Sequence, residues 1–128
     1  MKLALVRDAE PPLVDRPRLK SIKDLGLPGD ADGFVKGLLD IFFERAPALM
    51  NDLAQALDGR DSHKVEKLAH ALKGTAGNLG ASRMMHLAER LESLGRSRSL
   101  EGEAVQILEA LKASYPDTRH ELLREYKS

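Results

Sequence analysis

Residues 69 to 80 read Ala-His-Ala-Leu-Lys-Gly-Thr-Ala-Gly-Asn-Leu-Gly, and the residue types best suited to chemistry gather here. A solvent-facing imidazole is a usable nucleophile near neutral pH, because histidine ordinarily titrates at about 6.5. At about 100° per residue, His70 falls about 150° from the centre of its segment's apolar stripe and so faces water. Glu66, Gly74 and Gly77 share that face, with Lys73 at its edge. A glycine inside a helix costs about 1 kcal/mol relative to alanine, so two beside an exposed histidine need a reason. One reason is clearance, since bare backbone lets another protein's active site approach the imidazole. Lys73, one turn on, adds a positive charge suited to phosphate oxygens. The other reason is close helix packing, with His70 an ordinary surface residue. The glycines lie away from the apolar stripe, which speaks against packing, but the residues alone leave both readings open.

The elements that must hold this stretch are all helical. Met1 to Asp15, with Pro11 and Pro12, has no sustained period and reads as a loosely ordered leader (residues 1–15) ahead of a bundle domain (16–128). Asp15 before Arg16 and Pro17 starts a short helix to about Asp24, closed by Gly26, Pro28 and Gly29. Asp30 caps a long second helix ending at Gly59, in which Pro47 either kinks the helix or splits it in two. Asp61 caps the third, whose stripe is Val65, Leu68, Ala69, Leu72, Ala76 and Leu79, and Gly80 stops it. The fourth runs from about Ser82 to Leu94, followed by a polar loop at Gly95 and Arg96 to Ser99. The fifth begins near Leu100; Pro116 interrupts it, and Leu122, Leu123 and Tyr126 continue it. Four amphipathic helices with short loops predict an all-α fold, an antiparallel up-down four-helix bundle with an extra short N-terminal helix.

Composition narrows the function. The 128 residues suffice for one domain, with 42% hydrophobic and 31% charged residues. Twenty basic residues balance twenty acidic ones, which argues against a nucleic-acid binder and a polybasic membrane anchor. There is no cysteine, hence no disulfide and no thiolate metal site. Leu3 to Val6 is too short for a signal core or a span, so a cytoplasmic protein is expected. No G-x-x-x-x-G-K-[ST] loop or kinase glycine box is present for taking phosphate from ATP. His63, His86 and His120 read as surface residues, and no histidine pair has the i, i+4 spacing of a zinc helix.

The run His70-Ala-Leu-Lys73-Gly74, followed by Gly80, resembles the H-x-L-K-G…G signature of histidine-phosphotransfer (HPt) domains, and the order of helices extends the resemblance from about Leu19 to Tyr126. The resemblance implies a bacterial-type two-component phosphorelay. His70 would take a phosphoryl group from the phospho-aspartate of one receiver domain and pass it to another. Lys73 would steady the phosphoryl oxygens, Gly74 would give clearance, and Gly77 and Gly80 match small positions of the family. Arg96 stands where some members place a basic residue near the site. Glu92 stands where some have a glutamine against the imidazole; as an acid it suits a hydrogen bond that fixes the tautomer, or a plain surface carboxylate.

The implied protein is a phosphocarrier rather than an enzyme, with no cofactor of its own and Mg²⁺ supplied by the partner receiver. Its partners would be response-regulator receivers, including those of hybrid histidine kinases, met as a monomer; Met1 and the leader suit a freestanding protein. Phe34 and Ile41, seven residues apart beside the main stripe of the second helix, either join an apolar docking patch near the histidine or, as expected, lie under the short first helix. Two other functions compete: a kinase-fed histidine domain of the chemotaxis-kinase type, and a non-catalytic helical interaction module.

Overall fold

Apolar side chains at three- and four-residue steps wind into five helices, and no strand occurs among the described residues. The computed structural model describes residues 11–25 and 31–127. The helices are α1 (Arg16–Leu25), α2 (Ala31–Asp58), α3 (Ser62–Asn78), α4 (Ser82–Arg96) and α5 (Glu103–Lys127). Asp15 and Asp61 start α1 and α3 as N-caps, each accepting a backbone N–H three residues on, from Arg18 and Lys64 at 3.1 Å. The expected closers Gly26, Pro28 and Gly29 and the expected cap Asp30 lie outside the described residues, as do residues 1–10 of the leader.

Short turns between α2 and α3 and between α3 and α4 force antiparallel neighbours. α3 packs on α2 and α4, and α5 closes the ring against α4 and α2. Phe42, Leu53, Leu72, Met84, Leu91 and Leu111 are fully buried in the shared core. α1 packs on α2 through buried Leu19 and Ile22 and is tied to α5 by Arg16 on Glu125 at 2.9 Å.

Both prolines inside the long helices are carried through. α2 runs unbroken past Pro47, which is exposed. Proline leaves the carbonyl four residues back without its N–H, here that of Phe43, and the Tyr115 hydroxyl donates to that oxygen at 3.4 Å. The interruption expected at Pro116 does not occur, and α5 continues across it. The affected carbonyl belongs to exposed Lys112, which solvent can reach, and buried Leu111, Thr118 and Leu122 hold both halves to the core.

Two further expectations change. Residues 11–15 are not loose: Val14 is buried, the Asp15 N–H donates to the Gly80 carbonyl at 2.7 Å, and Arg83 reaches the Pro11 carbonyl at 3.1 Å. Gly80 permits this, because its φ is +74° and a Cβ would stand 3.1 Å from the Asp15 oxygen. Phe34 and Ile41 do not lie under α1; they are 46% and 51% exposed.

Candidate functional site

The site is made where α3 and α4 run side by side. Val65, Ala69, Leu72 and Ala76 hold the inner face of α3 in the core, which turns His70 outward. Its side chain is 68% exposed. Met84, Leu87, Ala88 and Leu91 do the same for α4, and Glu92 is drawn in with them, its side chain only 6% exposed.

That carboxylate is the centre of the site. Its Oε2 meets Nδ1 of His70 at 2.8 Å, and its Oε1 meets Nζ of Lys73 at 2.7 Å. Arg96 donates Nη2 to the same Oε2 at 3.1 Å and Nε to Glu66 at 3.0 Å. One antiparallel register makes both cross-helix pairs, since Glu66 is four residues before His70 and Arg96 four after Glu92. A buried carboxylate survives only when paired, and three donors converge here. Burial works to raise its pKa, but the hydrogen bonds and charges of Lys73 and His70 outweigh it and hold the carboxyl below its ordinary value. Glu92 is therefore ionised at neutral pH and accepts only, so Nδ1 of His70 carries the ring proton. Nε2 is left as the nitrogen available for chemistry.

Gly95 sets how close the helices come. A Cβ there would fall 2.7 Å from the Glu66 nitrogen and 2.9 Å from the Ser62 carbonyl oxygen, both backbone atoms. Only glycine fits, and its fit brings Glu92 and Arg96 to the His70 face. The sequence pattern ends α4 at Leu94 and puts Gly95 in a loop; the helix instead runs to Arg96 with Gly95 buried. The signal is present in the sequence, because Gly95 continues the spacing of Ala88 and Leu91.

The glycines beside His70 divide. Gly74 is exposed, with nothing within 4 Å of an added Cβ, which is the open ground expected of clearance. At Gly77 a Cβ would lie 3.0 Å from Sδ of Met85, so packing accounts for part of that position. Lys73, the residue expected at phosphoryl oxygens, pairs with Oε1 of Glu92. Antiparallel pairing with α3 places Ile41 about 13 Å along the bundle from the level of His70, and Phe34 farther. His63 and His120 are exposed and His86 half-buried. No cluster of His, Asp or Glu among the described residues could hold a metal ion.

The family model described as the Hpt domain matches residues 37–124, a span that contains His70, Lys73, Gly74, Glu92 and Arg96. This chain belongs to the Hpt domain family. Among similar proteins, multistep phosphorelay regulator 1 of Schizosaccharomyces pombe is 36% identical over 73 residues, covering 57% of this chain and 25% of that protein. Histidine-containing phosphotransfer protein 2 of Arabidopsis thaliana is 31% identical over 100 residues, covering 76% of this chain and 61% of that one. The chain thus spans between about a quarter and three-fifths of these relatives. Histidine-containing phosphotransfer protein B of Pseudomonas aeruginosa shares the fold, with a TM-score of 0.78 at 23% identity over 91% of this chain and 96% of that one. This Hpt domain is accordingly a helical bundle, with no strand among the described residues. No described helix is long and apolar enough to cross a membrane.

Proposed function

We propose that this Hpt domain carries a phosphoryl group on Nε2 of His70 between aspartate-phosphorylated receiver domains. The observation that carries the reading is the 2.8 Å contact of exposed His70 with buried Glu92, which fixes the ring with Nε2 as the nucleophile. The Nε2 lone pair attacks phosphorus in line, the aspartate oxygen of the receiver leaves, and the ring takes on positive charge beside the Glu92 carboxylate. Lys73 has two uses, holding Glu92 in the resting carrier and turning to the phosphoryl oxygens once they arrive. Open backbone at Gly74 gives the receiver its approach.

The carrier has no ATP site of its own, and the partner receiver brings the Mg²⁺. It works in the cytoplasm as a monomer, since one exposed histidine serves a transient partner. Exposed Phe34 and Ile41 contribute apolar area to the receiver's footprint at a distance from the histidine.

A two-receiver relay tests this. Label from a panel of radiolabelled phospho-receivers should pass through the wild type to a second receiver as an acid-labile intermediate, and His70→Gln should stop it. Relay through His70→Gln at the wild-type rate would overturn the reading.

A further inference from the structure

An imidazole can accept a phosphoryl group and still be a poor donor. When the Nε2–P bond breaks, its electron pair returns to the ring. If Nδ1 still holds its proton, the leaving group is neutral imidazole; if not, it is imidazolate, a far worse one. The fate of the Nδ1 proton in the phosphorylated state therefore decides whether the carrier releases its cargo.

In this chain the acceptor facing Nδ1 is a full carboxylate at 2.8 Å, almost completely removed from solvent. Charge at such a distance and burial is weakly screened. Resting on the carrier role of His70, we propose that Glu92 keeps a proton on Nδ1 of phosphorylated His70, so that the phosphoryl group leaves from neutral imidazole well above neutral pH. In the balanced step the Nε2–P bond breaks, a receiver carboxylate oxygen forms the new O–P bond, and the Nδ1 proton stays in place throughout. Glu92 acts through His70 and is a positioning residue.

The charges around the ring set the sign of the effect. On α3 stand Lys73, bound to Glu92 Oε1, then Glu66, bound to Arg96, and Lys67 toward water. On α4 stands Arg96, sharing Glu92 Oε2 with the imidazole. Among the described residues no ion pair from α2 or α5 reaches the cluster. Removing the Glu92 charge would leave Lys73 and Arg96 beside the ring, and both expel its proton. Removing the Arg96 charge would do the reverse.

Phosphoramidate, which phosphorylates histidine without a protein donor, supplies the modified protein. The ¹⁵N shift of His70 Nδ1 and the rate of transfer to a receiver are then followed against pH for wild type, Glu92→Gln and Arg96→Gln. E92Q keeps a hydrogen-bond acceptor and loses only charge, and its inflection should fall by about one pH unit or more, since an adjacent opposite charge is worth about that much. Above both inflections its transfer rate should drop about tenfold. R96Q, at an exposed position, should move the inflection slightly upward. Coincident inflections for wild type and E92Q, or shifts of the same sign in both variants, would overturn the proposal while phospho-His70 itself still formed. Failure to phosphorylate His70 in the wild type would overturn the carrier reading, and the proposal with it.

Discussion

At His70 the decisive group is the carboxylate behind the ring. Glu92 sits below its ordinary carboxylate pKa in the fold because the hydrogen bonds of Lys73 and His70 overcome its burial. Its folded value lies below its unfolded one, so the unfolded chain binds the proton more readily. The network's contribution to stability is therefore full above the unfolded carboxyl value and is lost as pH falls through the folded one. Urea midpoints followed downward from neutral pH should fall more steeply in the wild type than in E92Q, whose amide does not titrate. Lys73→Ala should leave the fold intact and slow phosphoryl transfer about tenfold, for the loss of about 1.4 kcal/mol of charge-assisted contact in the transition state. Unchanged transfer in that variant would confine Lys73 to holding Glu92.

The glycines of α3 and α4 answer to their elements. Gly74 has empty space around it, so Gly74→Ala should stabilise the helix by about 0.5–1 kcal/mol. The same methyl, one turn from His70, should slow transfer from receivers, so that thermal stability and transfer move in opposite directions. Gly95→Ala should instead lower stability by about 1–3 kcal/mol, because its Cβ meets the backbone of Glu66 and Ser62. Thermal melts of the two variants, run together, check both signs. The contrast shows what a helical pattern conveys and what it does not. The period places His70 outward and the Asp15 and Asp61 caps correctly, because these are local properties. Gly95 reads as a loop residue since glycine after a helix is its commonest use, and only the approach of α3 reveals the other one. Pro116 reads as a break because its local cost is real, whereas burial on both sides of it is a tertiary fact.

For the whole molecule, the ring of helices turns four apolar stripes inward and leaves the His70 imidazole on a fixed surface. The bundle and its order are legible from periodicity and turn residues. The network around His70 is legible only in part: Glu92 and Arg96 stand out by position, but a carboxylate ordinarily marks the surface, and its burial depends on partners from two helices. The pattern leaves Phe34 and Ile41 either under α1 or in a docking patch; α1 covers α2 through Leu19 and Ile22 and leaves both outside. Their exposure predicts that charged substitutions, Phe34→Glu or Ile41→Glu, should spare stability within about 0.5 kcal/mol, as surface changes do. A clear loss of thermal stability in either variant would place that side chain in the core after all.

In the proposed carrier, Nε2 of His70 holds the group. Phosphorylation by a phospho-receiver, followed by site mapping and ³¹P–¹⁵N correlation at neutral to alkaline pH, tests it directly. A single phosphohistidine at His70 with phosphorus bonded to Nε2, absent from His70→Gln, is the expected result. Phosphorus on Nδ1, or on His63, His86 or His120, would contradict the role of Glu92 and of the α3 face that it supports.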